Sequence, residues 1–390
     1  MKKKILTCLA CVVAGTTMLS LTSCGNSGAT KIGFICLHDE NSTYDKNFID
    51  AATEVCEEMG VEAVFKTQIE EGKEYNSAVE LASDGCSAIF ADSFGHEGGM
   101  IKAAKEYDNI QFFHATGTKA HTEKLSNFHN AFASIYEGRY LAGIVAGLKL
   151  NEMIEAGDIS ADQAVMGYVG AYPYAEVVSG YTSFYLGAKS VCDSVTMKVR
   201  YTNSWFSVEG ETAAASQLIE TDNCVLISQH ADSQGAPGVC ESHRVPNVFY
   251  NGNNKEYAPN SYLVASRINW RPFFKEMIQT VTEDKKMGYD WVGTLSNGAV
   301  ELMEINESIA PAGTKEAVAT AKEALINGTL NVFDTDNFTV NNVHLDSYMT
   351  DVDDDGIDNK KNVVTAGVFK ESFYRSAPYF DIRIDGITEL

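Results

Sequence analysis

The side chains of this chain best equipped for chemistry sit in short polar clusters that follow apolar runs. In order they are His38-Asp39-Glu40-Asn41-Ser42-Thr43-Tyr44-Asp45, Asp92-Ser93-Phe94-Gly95-His96, His114-Ala115-Thr116-Gly117 and Tyr172-Pro173-Tyr174. Later come Thr202-Asn203-Ser204-Trp205-Phe206, His230-Ala231-Asp232-Ser233-Gln234-Gly235, Asn251-Gly252-Asn253-Asn254 and Arg267-Ile268-Asn269-Trp270. Aromatic faces, amides and carboxylates dominate these clusters, and Lys and Arg are scarce. Such a mixture suits a flat, neutral ligand that stacks and hydrogen-bonds; it suits a phosphate or a dicarboxylate poorly. Tyr44, Asp45, Phe94, Trp205, His230, Asp232, Asn251, Asn253 and Trp270 are the candidate contacts.

Each candidate has a structural competitor. Tyr44 and Asp45 could simply open a helix, since an acid in the first turn is stabilising without any ligand. Trp205 and Trp270 could pack a wall between domains. Asn251 and Asn253 could be present for the left-handed backbone that an Asn-Gly-Asn turn favours. His230 with Asp232 could be read as an acid–base pair, but a His and an acid at a strand end more often hydrogen-bond locally or hold a ligand. The chain has no GxSxG or HExxH signature and no Walker A loop, so neither hydrolysis nor nucleotide-driven work is indicated.

The elements that must position these clusters alternate. A β-branched run, Lys31 to Leu37, precedes an amphipathic stretch from about Asp45 to Met59 that closes at Gly60. Val61–Lys66, a helix near Glu74–Ser83, Ser87–Asp92, a helix near Glu97–Tyr107 and Ile110–Ala115 continue the pattern. Four strands with intervening helices make one parallel half, its strands apolar because both faces are covered. A connection at Asn127–Ser134 leads to a helix over Tyr136–Leu150. The grammar then restarts with Val165–Gly170, a helix from Val177, Thr196–Tyr201, a helix from Ser207, Cys224–His230 and Val248–Asn251. The fold class expected is therefore α/β, with two doubly wound Rossmann-like lobes joined by a hinge. Ligands in such sheets bind beyond the strand C-termini, where the polar clusters lie. From Asn331 the texture turns to Asp, Asn and Thr with short alternating runs, which reads as a small β-rich C-terminal tail.

The first 23 residues read as an export signal: Lys2-Lys3-Lys4, then an apolar run from Ile5 to Leu21 that is too short and poorly flanked for a stable span. The run ends in Leu21-Thr22-Ser23-Cys24-Gly25, which resembles a bacterial lipobox and makes Cys24 the expected lipidated N-terminus. Residues 25–30 are small and polar, as a flexible tether is. Cleavage would remove three lysines and no acids, leaving 27 basic against 53 acidic side chains and a net charge of −26 on 367 residues. Nucleic acid is excluded as a partner, and the lipid rather than the protein surface must hold the body at a membrane. A body of that length calls for two domains. Cys36, Cys56, Cys86, Cys192, Cys224 and Cys240 show no metal-binding spacing and read as buried thiols. In the tail, Asp351, Asp353, Asp355 and Asp358 around Gly356 resemble the start of a calcium loop, but Asn362 stands where the bidentate glutamate belongs. A structural calcium is the single cofactor expectation, with an acidic surface turn as its rival.

Several segments resemble the basic membrane protein and purine nucleoside receptor family of ABC transporter substrate-binding lipoproteins. They are Asp39–Phe48, Phe112–Gly117, Val169–Pro173, Tyr250–Asn254, Ile268–Trp270 and, most specific, Tyr136-Glu-Gly-Arg-Tyr-Leu-Ala-Gly-Ile-Val-Ala-Gly147, whose small residues let a helix pack closely. The resemblance covers about Lys31 to Phe333. It implies a periplasmic-binding-protein-like (type I) receptor, monomeric, that closes on a purine base or nucleoside and serves a membrane permease and ATPase. It also adds Asn41 and Asn269 to the candidate contacts. Two departures stand out: the family's usual aspartate in the Tyr250–Asn253 segment and a lysine at the place of Asn269 are both amides here. The Asn41–Tyr44 and Asn269-Trp270 motifs look closer to a nucleobase-binding subgroup.

The expected layout is a signal peptide at 1–23, the lipidated cysteine and tether at 24–30, and a first lobe at 31–130 rejoined by a later segment and a helix near 313–326. A second lobe with the hinge crossings spans 131–330, and a β-rich extension covers 331–390. The expected location is the extracytoplasmic face of the cell membrane. A signalling receptor and an exported nucleoside-processing enzyme are the alternative functions.

Overall fold

The computed structural model describes residues 29–353, 356–357 and 359–390. The expected export signal, Cys24 and most of the expected tether, and also Asp355 and Asp358, lie outside the described residues. Among the described residues no helix is long and apolar enough to cross a membrane.

The first lobe begins with β1 (Lys31–Ile35), α1 (Thr43–Met59), β2 (Glu62–Lys66), α2 (Glu74–Ser83) and β3 (Cys86–Ala91), followed by α3 (Glu97–Glu106), β4 (Gln111–Ala115), α4 (Ala120–Glu123) and β5 (Phe128–Ala133). Its start is set locally. Ser42 caps α1 by accepting the Asp45 amide, and Gly60 ends it in the left-handed conformation at φ 68°, its N–H bonded to the Cys56 and Glu57 carbonyls. The 127–134 segment is thus a strand and not a connection. Its polar side chains find partners inside the lobe: the Asn130 Nδ2 donates to Glu97, and the His129 ring meets the Gly288 carbonyl.

The second lobe follows with α5 (Ile135–Ala156), β6 (Val165–Gly170), α6 (Ala175–Lys189), β7 (Thr196–Tyr201), α7 (Val208–Glu220), β8 (Leu226–His230), α8 (Gly235–His243), β9 (Asn247–Tyr250) and β10 (Tyr262–Ile268). The chain then returns to the first lobe for α9 (Arg271–Thr282) and β11 (Asp290–Gly293), and crosses back for β12 (Val300–Leu302) and α10 (Thr314–Ile326). The backbone therefore crosses the hinge at Ser134, at Asn269-Trp270 and at 294–299. The first sheet has the order β11-β5-β4-β3-β1-β2 and is wholly parallel. It is α9 and β11 that rejoin the first lobe. The helix expected near 313–326 forms, but it packs on α5 of the second lobe.

α5 and α6 form the spine of the second lobe. A Cβ added at Gly143 would stand 2.1 Å from the Phe184 carbonyl oxygen, and one at Gly187 would stand 2.0 Å from that of Tyr140. The two backbones touch because neither position carries a side chain.

The tail is less β-rich than its composition implies. It holds the two-residue strands β13 (Met349–Thr350), β14 (Lys361–Asn362), β15 (Val364–Thr365) and β16 (Val368–Phe369), and then β17 (Ile387–Glu389). β17 adds a parallel edge to the second sheet, whose order is β12-β10-β9-β8-β6-β7-β17. Tyr379 to Asp385 forms no ladder, although Ile382 and Ile384 are buried between exposed Asp381, Arg383 and Asp385. An aromatic cluster holds the tail down: Phe333 stacks on Phe380 at 4.4 Å and meets Tyr136 of α5 at 5.1 Å. The tail touches both lobes. Ser179 of α6 donates to Glu371, while Ser376 donates to Asp290 of β11 and His121 of α4 sits 2.7 Å from Asp353.

Candidate ligand-binding cleft

The loops beyond the strand C-termini of both sheets meet in a cleft lined by Leu37, His38, Tyr44, Asp45, Ser93, Phe94, Thr116, Glu176, Trp205, His230, Asp232 and Tyr250. The lobes are in contact across it. The Thr43 amide donates to the Asp232 carbonyl at 3.2 Å, the His38 ring faces Phe206 at 5.6 Å, and Phe94 faces Tyr174 at 5.6 Å. Tyr172, Tyr174 and Trp205 pack into one aromatic group at the mouth, with centroids 5.1–6.0 Å apart. Phe94, 41 % exposed, completes that group from the other lobe.

On the first-lobe wall Asp45 is fully buried. Its carboxylate accepts the His38 amide at 2.7 Å and the Ser42 hydroxyl at 2.6 Å, with the His38 ring at 3.3 Å. Burial by itself raises its pKa, but the hydrogen bonds from His38 and Ser42 prevail and hold the carboxyl below the usual range, so it is charged. Asp92, just behind, accepts the Leu37 amide at 3.1 Å; burial and then the nearby Asp45 push it well above the carboxylate range, so it keeps its proton. Tyr44 donates to the Asp92 carbonyl at 2.8 Å, which presents its ring to the cleft. Among the described residues one group of three metal-capable side chains lies close together: Cys36, Asp45 and Asp92, with ligand atoms within 4.8 Å. The two acids there are already occupied by His38, Ser42 and the Leu37 amide.

On the second-lobe wall the Asp232 carboxyl makes no hydrogen bond to the protein among the described residues, though the residue is only 4 % exposed. Burial, then Asp45, pushes it well above the usual range. Its oxygens face the cleft as free hydrogen-bonding groups. His230, 3.3 Å from Glu176 and 4.7 Å from the Tyr250 ring, is driven down by burial and is neutral. No lining residue is Lys or Arg, so the cleft offers acids, the imidazoles of His38 and His230 and aromatic faces.

Tyr44, Asp45, Phe94, Trp205, His230 and Asp232 are thus brought together. The other candidates are not. Asn41 is exposed and folds back on Asp39, and Asn253 is exposed and accepts the Lys255 amide. Asn251 adopts φ 58° and serves the turn. Asn269 spans the hinge, donating to Gly298 and Glu301. Trp270 is a correction of substance: at 1 % exposure it stacks on Phe48 at 4.4 Å among Phe90, Phe132, Phe273 and Phe274, in the core of the first lobe. It precedes α9, and that helix turns its ring inward. Asp351 and Asp353 also have partners of their own. The Asp353 and Gly356 amides donate to Asp351, and His121 and Asn359 to Asp353. All six cysteines after residue 28 are buried and unpaired. The loop clusters contained His38, Ser93 and Thr116. Tyr250, the last residue of β9, opens the Tyr250–Asn254 segment of the family resemblance but was not among the candidate contacts, and Glu176, in the first turn of α6, carried no signal beyond a place at an element end.

The model of the family described as ABC transporter substrate-binding protein, PnrA-like, matches residues 36–335, more than three quarters of the chain. The chain belongs to this family. PnrA-like proteins are substrate-binding components of ABC transporters, and they act outside the cytoplasm. A purine-binding protein of Brucella abortus is 30 % identical over 310 residues, covering 78 % of this chain and 83 % of that protein. A putative ABC transporter glucose-binding protein of Haloferax volcanii is 28 % identical over 254 residues, or 65 % of this chain and 61 % of that one. Among solved structures, an ABC transporter solute-binding protein of Conexibacter woesei has a TM-score of 0.63 at 17 % identity, covering 78 % of this chain and 98 % of its own. One from Aeropyrum pernix has 0.66 at 14 %, covering 77 % and 92 %. These two share the bilobed fold. The PnrA-like match ends at 335, so residues 336–390 of the tail lie beyond it.

Proposed function

We propose that this chain captures a purine base or nucleoside between its lobes and delivers it, without chemical change, to a membrane permease and ATPase, held at the membrane by a lipid on Cys24. The observation that carries the ligand class is the lining of the cleft: rings of Tyr44, Phe94, Trp205 and Tyr250 beside Asp45, Asp232 and Glu176, with no Lys or Arg. A purine offers two flat faces to such rings and ring or exocyclic N–H groups to such acids, whereas a phosphate would meet carboxylates. The purine binding for which the Brucella relative is named supports the same class.

A thermal-shift series over bases, nucleosides, sugars and amino acids tests it. A ligand at one hundred times its Kd adds about 2.7 kcal/mol to the folded state, a clear rise in Tm. Purines are expected to stabilise. The Haloferax relative makes a sugar the second reading, since sugars also lie on aromatic faces and hydrogen-bond to acids. Stabilisation by glucose with no response to purines would establish it in place of the first. Nucleoside recovered intact after incubation is expected; released base would revive the enzyme reading.

Trp205→Ala is expected to weaken purine binding by about 1–3 kcal/mol, roughly 5- to 150-fold, through lost stacking area. Calorimetry on the folded variant checks this, and undiminished affinity removes Trp205 from the site.

A further inference from the structure

Behind the second-lobe wall lies a cation that the cleft itself lacks. Arg139, from the first turns of α5, is fully buried. Its guanidinium carbon sits 3.5 Å from the centroid of the Tyr250 ring, whose surface lines the cleft, and 5.8 Å from that of Tyr168. Nη1 donates to the Gln229 carbonyl at 3.0 Å, one residue before His230. Nε and Nη2 have no hydrogen-bond partner, and no carboxylate pairs with the group among the described residues.

A buried arginine with no counter-ion is an expensive way to fill space. An apolar side chain of like volume would pack there at lower cost, because the desolvation of a charge is not returned by one carbonyl and two aromatic rings. The charge has a use only if its field reaches something, and in a low-dielectric interior it reaches the groups in front of it. The groups facing Asp232 and His230 are Asp45 from α1, Glu176 from α6, Glu211 from α7, Tyr168 from β6, Tyr250 from β9 and Arg139 from α5. Arg139 is the one cation in that set; all the other charges are acids.

We propose that Arg139 acts through the cleft wall as a positioning residue: it holds Tyr250 in its ligand-facing pose and offsets the cleft's acids, so that the site prefers a neutral ligand to a cation of the same shape. The inference rests on the purine reading, which supplies the shape. Without Arg139 the cleft would present acids alone, a lining that attracts cations. With it, Asp232 on the second-lobe wall has a positive charge behind it. In the same sense, the guanidinium eases the ionisation of Asp232 and opposes protonation of His230.

The test compares adenosine with 1-methyladenosine, which is cationic at neutral pH, by calorimetry on wild type, Arg139→Met, Arg139→Lys and Tyr250→Leu. Because each variant is judged on the ratio of the two affinities, the steric effect of the methyl group cancels. In Arg139→Met the preference for adenosine is expected to fall by about tenfold or more, which is about 1.4 kcal/mol. Arg139→Lys keeps the charge and is expected to keep the preference. Tyr250→Leu removes the ring in front of the guanidinium; both affinities are expected to drop while the preference survives. A folded Arg139→Met with the wild-type ratio overturns the proposal, as does Arg139→Lys losing the preference as fully as Arg139→Met. Should Arg139→Met fail to fold, Tyr250→Leu decides, and loss of the preference there overturns it. If wild type binds neither compound nor adenine, the purine reading fails and takes this inference with it; binding with an unaltered ratio refutes the inference alone.

Discussion

Trp270→Ala is expected to remove about 3–5 kcal/mol of folding stability, because truncating a fully buried aromatic loses transfer free energy and leaves a cavity. The ring is enclosed by Phe48, Phe90, Phe132, Phe273 and Phe274, and Phe48 belongs to α1, the helix that presents Tyr44 and Asp45. The surrounding rings cannot collapse into the gap without moving that helix. Denaturant unfolding should show a lower midpoint with a similar slope. Purine affinity of the fraction still folded should be essentially unchanged, since the ring does not line the cleft. A large loss of affinity with wild-type stability would show that Trp270 reaches the ligand after all.

The second large effect is expected at Gly143 and Gly187. Alanine is favoured over glycine in a helix by about 1 kcal/mol, so propensity alone predicts that Gly143→Ala stabilises. The structure predicts the opposite sign. A methyl at 143 would lie 2.1 Å from a backbone oxygen of α6, and no rotamer can relieve a contact with backbone. α5 and α6 would have to separate, at a cost of about 1–3 kcal/mol or more. The same holds for Gly187→Ala, where the facing atom is the Tyr140 carbonyl oxygen. Because both lesions open one interface, the double variant should cost less than the sum of the singles. Thermal melts of the three variants decide it, and a rise in Tm for either single would contradict the close approach.

These two cases show what the sequence made legible. The small residues of Tyr136–Gly147 announced close helix packing, and the structure supplies the partner, Gly187 on α6. The βα alternation was legible because strands covered on both faces are written as continuous apolar runs. β5 escaped that rule: His129 and Asn130 make it look like a loop, and only partners far away in sequence, Gly288 and Glu97, let a strand bury them. The hinge crossings could not be read either, since returning α9 and β11 to the first lobe is a choice of tertiary packing.

In the cleft, residues at strand ends and in the first turn of α1 could be found by position, and Tyr44, Asp45, Phe94, Trp205, His230 and Asp232 reach it. Trp270 stands at an equivalent position, after β10, but begins a helix whose direction carries the ring into the core. Local sequence cannot distinguish those outcomes. The asparagines were misplaced for a related reason: Asn251 at φ 58° is spent on the backbone, and Asn269 on the hinge. Arg139 gave no sign of its place, because a charged residue within an apolar helix reads as an exposed one until the fold surrounds it.

The tail gives the two lobes a fourth link, one made of contacts instead of chain. Hydrogen bonds from Ser179 and Ser376 and the meeting of His121 with Asp353 are formed together only while the lobes hold this relative orientation. By linkage they favour that orientation whether or not the cleft is filled, as a latch biases a door. A segment that never touches the ligand then enters the binding equilibrium: contacts that lower the free energy of the closed orientation raise the apparent affinity and slow release together.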